Sequence, residues 1–164
     1  MNTEAIKNEI KDLLDRMGFG NDVEGIEIHE GGANRFSVRI RNEYDAEEDH
    51  SAHPLQTNML IGERGSNLTA LEYIVKRIIR KKYGEEEKFT LDINDYRVKR
   101  LEDLKQDVKS AAKEVRLRKR EVPLRPMTSF ERRIVHLLLA EYPDITTESF
   151  GSEPERRVVI KPYP

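Results

Sequence analysis

Hydrophobic and polar positions change period several times along the chain, and each change predicts a new element. From residue 3 to 17, Ile6, Ile10, Leu13, Leu14 and Met17 recur at three- and four-residue intervals, which predicts a helix with one apolar face, stopped at Gly18. Two alternating runs follow, Val23 to His29 and Arg35 to Arg41, separated by Glu30-Gly31-Gly32-Ala33-Asn34, and they read as a β-hairpin. Residues 42 to 57, NEYDAEEDHSAHPLQT, are acidic, contain a proline and show no period. They read as a loop that ends in a short turn of helix near Leu55. The apolar tripeptide Met59-Leu60-Ile61 then meets Gly62-Glu63-Arg64-Gly65. After Ser66, which can cap a helix N-terminus, Leu68, Leu71, Val75, Ile78 and Ile79 trace one buried face as far as about Tyr83, and Gly84 ends it. Lys88 to Ile93 alternates like a strand.

The longest helical pattern covers residues 95 to 118, with Val98, Leu101, Leu104, Val108, Ala111 and Val115 in one seam. Val122-Pro123-Leu124-Arg125-Pro126 must be extended, because proline disfavours helix for the residue before it. Thr128-Ser129-Phe130-Glu131 has the spacing of a capping box that opens a helix running to about Glu141. Two last runs, Ile145 to Phe150 and Arg156 to Lys161, flank Gly151-Ser152-Glu153-Pro154 as a second hairpin. The predicted fold class is α+β, with two small domains. Residues 1–94 would form a three-stranded sheet with helices on one face, and residues 95–164 a linker helix followed by helices packed on a small sheet.

Composition narrows the class. The chain has 164 residues, of which 37% are charged, and a mean hydropathy of −0.75, with no apolar run long enough to span a bilayer. No stable membrane insertion is expected. The N-terminus, MNTEAIKNEIKDLL, mixes charges unlike a secretory signal, and the absence of cysteine leaves no disulfide framework or thiolate metal site. Both fit a cytoplasmic location. The net charge of −2 conceals an asymmetry: residues 1–58 carry 6 basic and 13 acidic side chains, residues 59–141 carry 20 and 14, and the remainder 3 and 4. A basic middle behind an acidic front points to a polyanionic partner for the middle.

Two places carry candidate chemistry. A Gly-x-x-Gly turn between an apolar segment and a helix start lets a backbone approach closely and can aim amides at phosphate, with Arg64 inside the turn and Lys76, Arg77, Arg80, Lys81 and Lys82 along the helix. The same spacing also suits a plain turn between helices. On a wheel of about 100° per residue from Phe130, the apolar arc runs from Leu137 to Leu139, with Arg132 near 200° and His136 near 240°. The pair is thus predicted on an exposed face, one turn apart, where both heads can grip a phosphate or a base edge. Other histidines are weaker candidates. His29 reads as a strand-end residue, and His50 and His53 beside Asp49 read as part of a solvated acidic loop rather than a metal site. No P-loop or zinc motif is present, and no nucleophile or carboxylate completes a catalytic set around Arg132 and His136. The expectation is a binding protein without catalytic residues, metal or cofactor.

The run Arg132-Arg133-Ile134-Val135-His136, preceded by Pro126-Met127 and followed by a hairpin ending Arg156-Arg157-Val158-Val159-Ile160, resembles the Arg-x-x-x-His single-stranded nucleic-acid-binding domain. Gly62-Glu63-Arg64-Gly65 resembles the loop with which KH modules clamp a single-stranded backbone. With the upstream LIGERG, the strand Thr90-Leu91-Asp92-Ile93 and Asn94-Asp95-Tyr96-Arg97, the ordered set resembles the bacterial Jag family, also called KhpB, over nearly the whole chain.

The resemblance implies a type II KH domain of order helix-strand-strand-helix-helix-strand, then the Arg-x-x-x-His domain. It also implies binding of single-stranded RNA, with single-stranded DNA open, and a small KH-domain protein or a second copy of the chain as partner. A role in cell elongation and division, and a genetic neighbourhood with a membrane insertase, belong to the same expectation. Carried onto this sequence, Gly62, Glu63, Arg64 and Gly65 form the phosphate-clamping loop, and Arg132 and His136 the second site; Ile61, Arg133 and Arg157 are expected to add nucleic-acid contacts. Three departures are expected to matter: Glu63 stands where a basic residue is usual, the acidic stretch 42–57 is long, and the family's separate N-terminal Jag domain is absent. Glu63 and the acidic front also favour a competing reading, a protein scaffold in which the KH unit dimerises and nucleic acid is incidental.

Overall fold

The computed structural model describes residues 3–41, 55–84, 86 and 88–163. The chain divides into two compact units, Met1–Arg97 and Val98–Pro164.

In the first unit, α1 (Thr3–Arg16) precedes the hairpin β1 (Val23–His29) and β2 (Asn34–Ile40). Then come α2 (Leu55–Ile61), a tight turn at Glu63–Gly65, α3 (Ser66–Tyr83) and β3 (Phe89–Ile93). The sheet order is β1-β2-β3, with β1 antiparallel to β2 and β2 parallel to β3. A parallel pair needs a long crossover, which α2 and α3 supply. Alternation along β2 puts Phe36, Val38 and Ile40 on one face, where they pack with Leu91 and Ile93 of β3 against Ile6, Ile10 and Leu14 of α1 and Leu68, Val75 and Ile79 of α3. Phe36 and Phe89 meet edge to face at 5.4 Å, an arrangement that suits the ring quadrupoles.

Two elements differ from the sequence reading. Met59 to Ile61 closes a helix that begins at Leu55, so the expected short turn is a two-turn helix running up to Gly62. Ser66 is the first helical residue rather than the cap, because Gly65 occupies the cap position in a left-handed conformation. The hydroxyl of Ser66 lies 3.4 Å from Asn67 Oδ1 instead. Of the loop expected at 42–57, residues 42–54, with His50 and His53, lie outside the described residues.

The open edge of β3 is closed by side chains. Leu91 N–H donates to Glu72 Oε2 at 3.1 Å, while Arg97 donates to Leu91 O at 3.0 Å and to Glu72 at 3.1 Å. On the far face of the sheet Ser37 and Asp92 are cross-strand neighbours, both buried. Asp92 Oδ1 accepts from the amides of Ile93 and Arg97, its Oδ2 has no partner among the described residues, and burial pushes its pKa up despite those bonds.

α4 (Tyr96–Arg118) leads into the second unit, followed by β4 (Val122–Pro123), α5 (Ser129–Leu139), β5 (Ile145–Phe150) and β6 (Arg157–Pro162). Its sheet is antiparallel in the order β4-β6-β5. Leu104, Val108, Ala111 and Val115 of α4 and Val135 and Leu139 of α5 pack on Ile145, Val158 and Ile160. The extended strap after β4 follows β6, with Leu124 N–H donating to Val158 O and Met127 N–H to Arg156 O. The capping box forms. Glu131 N–H donates to Thr128 Oγ1, and Thr128 N–H donates to Glu131 Oε2 at 2.7 Å. Arg100 of α4 adds a 2.7 Å bond to the same carboxylate.

Candidate functional site

The Gly62–Gly65 turn is held by its backbone. Gly62 has φ 70 and ψ 176, a region open essentially to glycine, and a Cβ there would stand 2.6 Å from Asn67 Cγ. Gly65 has φ 80, and a Cβ would meet the Tyr96 ring at 3.0 Å. Arg64, between them, also has positive φ. Asn67 ties the turn back to α2 by donating to Met59 O at 2.7 Å.

The amides do not all face outward as the sequence suggested. Gly62 N–H donates to Asn58 O, Gly65 N–H to Gly62 O and Ser66 N–H to Glu63 O, since a turn this tight completes its own bonds. Arg64 lies 3.7 Å from the exposed Glu63 carboxylate, so the acid next in sequence partly screens the cation within the turn. Ile61 is buried directly before the turn.

The basic positions of α3 separate into two groups. Lys76 pairs with Glu72 at 2.7 Å and lies over the Phe89 ring, and Lys82 pairs with the buried Glu9 at 2.8 Å. Arg77, Arg80 and Lys81 point outward beside Tyr73, which is 64% exposed. Tyr73, Arg77 and Arg80 with Lys88 line a shallow groove of about 510 Å³. Tyr73 escaped the sequence reading because that reading followed the aliphatic seam. An aromatic residue on the opposite, cationic side of the helix was the available clue.

The second set is organised differently. The wheel put Arg132 on the exposed side, yet it is buried, with its guanidinium donating to Met127 O at 2.8 Å and pairing with Glu153 at 2.8 Å. The strap and the β5–β6 turn close over it, which a wheel for one helix cannot register. Phe130 and Leu137, inside the apolar arc, are 67% and 60% exposed, because the buried face of the helix is that of Glu131, Arg132, Val135 and Leu139. His136 is half-buried, with Nδ1 2.7 Å from Thr147 Oγ1 and Nε2 3.1 Å from Ser149 Oγ. Hydroxyls can donate or accept, so they accommodate either tautomer of the ring.

Thr147 and Ser149 went unremarked in the sequence, although their two-residue spacing places both on the helix-facing side of β5. Arg133 is exposed. Arg157 does not join Arg132 and His136. Its cross-strand partner is Phe150, on the outer face of the sheet, whereas Thr147 and Ser149 pair with Ile160 and Val158 of the inner face. Arg157 is also held by Glu155, through its carbonyl at 3.2 Å and its carboxylate at 3.4 Å. His29 is the last residue of β1. Among the described residues no group of three or more His, Asp or Glu side chains could hold a metal ion, and no helix is long and apolar enough to cross a membrane.

Residues 99–162 match the Arg-x-x-x-His (R-3-H) domain family. The chain is 36% identical over 131 residues to the RNA-binding protein KhpB of Clostridium symbiosum, covering 78% of this chain and 59% of that protein. It is 38% identical over 104 residues to the RNA-binding protein KhpB of Bacillus subtilis, and 36% over 102 residues to that of Lactiplantibacillus plantarum. Each of these alignments covers 62% of this chain, and respectively 50% and 32% of the relative. The chain therefore spans between about a third and three fifths of the length of these relatives. The second unit is thus similar to the Arg-x-x-x-His domain, and the chain is similar along most of its length to proteins named KhpB.

Proposed function

We propose that this chain is a non-enzymatic, two-module binder of single-stranded RNA, with a type II KH domain in its first unit and the Arg-x-x-x-His domain in its second. The observation that carries the reading is the left-handed Gly62–Gly65 turn between α2 and α3, in a chain whose relatives are named for RNA binding. The close-approaching turn holds the sugar-phosphate backbone, while the outer face of α3, with Tyr73, Arg77 and Arg80, takes the neighbouring nucleotides and the buried Ile61 supports the turn from below. In the second unit His136 and the exposed Arg133 offer the contacts, and Arg132 holds the surface in shape. Two weak sites on one strand gain affinity through effective concentration. The setting is the cytoplasm, the partner a small KH protein or a second copy, and the process post-transcriptional control linked to cell elongation and division.

Binding of a labelled single-stranded RNA at two salt concentrations tests the reading. Arg77→Glu with Arg80→Glu should weaken binding and flatten its salt dependence, because fewer counterions are released. Arg133→Ala with His136→Ala should weaken it through the second unit. Circular dichroism checks the folding of each variant. If neither pair of substitutions changes affinity, the reading fails. The Glu63–Arg64 contact favours a second reading, a protein scaffold whose first unit dimerises with little RNA affinity. A stable complex with a KH partner and no crosslinking to RNA would select it.

A further inference from the structure

The second unit carries a groove of about 500 Å³ between α4 and the C-terminal end of α5, on another side of α5 from His136. Val108, Ala112, Leu138 and Leu139 give it an aliphatic floor, and Leu138 remains 37% exposed. Along its α4 edge stand Lys105, Lys109 and Lys113, spaced four residues apart and therefore on one face, about 6 Å from each to the next along the axis. All three are exposed, and among the described residues no carboxylate lines the groove. Among nearby acids, Asp107 pairs with Arg125 and Glu114 with Arg118 and Arg120, away from the groove, while Asp144 is neutralised by Arg116 at its end.

We propose that this groove docks an acidic amphipathic helix of a partner protein, its apolar stripe lying on Leu138 and Ala112 and its carboxylates facing Lys105, Lys109 and Lys113. Two helices flanking an aliphatic trough match the way a third helix is received, with anchors at three- and four-residue spacing. A row of lysines at one-turn spacing meets a row of carboxylates at the same spacing, and the one-sided charge fixes which edge the acids occupy. The aliphatic floor argues against single-stranded nucleic acid here. One face of the only aromatic ring in its lining, Tyr142, is already covered by the Arg116 guanidinium, 4.7 Å from the ring centroid, so no pair of aromatic platforms is present for stacked bases.

The test uses the full chain and a fluorescein-labelled designed helix, with leucines at three- and four-residue spacing on one face and glutamates every fourth residue beside them. Saturable binding should weaken about tenfold or more in Lys105→Gln, Lys109→Gln, Lys113→Gln, while affinity for a labelled oligouridine stays within about twofold. Reversing the three lysines to glutamate should restore binding of the same helix with its glutamates changed to lysine. No saturable binding to wild type, equal binding to the glutamine variant, or a tenfold loss of oligouridine affinity in that variant would each overturn the proposal. The last outcome would assign the lysine row to nucleic acid. Because oligouridine is measured separately, failure of the RNA-binding reading and failure of this one are distinguishable.

Discussion

The turn at Gly62–Gly65 and the Arg132–His136 pair, the two proposed contact sites, are built in two different ways. The turn is local. Three left-handed residues within four positions set its shape, and the bonds that lock it join residues 58 to 67. The pair is assembled from a distance. Arg132 reaches Met127 before its helix and Glu153 in the β5–β6 turn, and His136 reaches two hydroxyls on β5. A surface made of backbone tolerates side-chain change but not an added Cβ. A surface made of a side-chain network loses shape when one member goes.

The largest expected effect is on the network. Arg132→Ala removes a buried guanidinium that joins strap, helix and hairpin, and should lower unfolding free energy by about 2–3 kcal/mol in denaturant titrations. A cost below about 0.5 kcal/mol would mean that the pairing adds nothing to the fold and leave Arg132 free for a ligand. Next comes Gly65→Ala, which combines a left-handed backbone with contact against Tyr96 and should cost about 1–2 kcal/mol. Adding Tyr96→Ala should recover the contact part of that loss and leave the backbone part, a split readable in a double-mutant cycle.

Glu131→Gln should cost about 1 kcal/mol at neutral pH, through the capping box and the bond from Arg100. Burial alone would raise the Glu131 pKa, but the bonds from Thr128 and Arg100 outweigh it and hold it below its ordinary 4.5. A lowered folded pKa means stability that is present above about pH 4.5 and lost as pH falls through the folded value. The wild type should therefore lose more stability than Glu131→Gln as pH is lowered through that window. Parallel stability curves for the two would refute the link. The smallest effect is on binding: Glu63→Gln removes the negative charge beside Arg64 and should raise RNA affinity about two- to fivefold at low salt, with the gain fading as salt is added. Unchanged affinity would place Glu63 and Arg64 outside the contact surface.

Much of the fold was legible because its cues are local. Ile6, Ile10 and Leu14, or Leu104, Val108 and Val115, lie on one face whatever else the chain does, and the Thr128–Glu131 capping box closes within a single turn. Gly18 and Gly84 end their helices in the left-handed conformation that glycine favours. Helix α2 was harder to see, since seven residues contain too few turns to establish a period. The first site was legible as a turn but not in its amides, whose direction depends on how tightly α2 closes into α3. In the second, Arg157 lies across the sheet from Arg132 and His136, because strand alternation puts it with Phe150 on the outer face.

By itself the sequence determined the order of helices and strands, the apolar face of each, and the place where only glycine could turn the chain, all of which follow from backbone dihedrals and periodicity within a few residues. The tertiary structure alone decided that Arg132 is buried and braced, that His136 rests on Thr147 and Ser149, and that Lys105, Lys109 and Lys113 border an open groove. Those outcomes depend on which distant segment closes over a helix face, and a charge or hydroxyl acquires its partner only when that segment arrives.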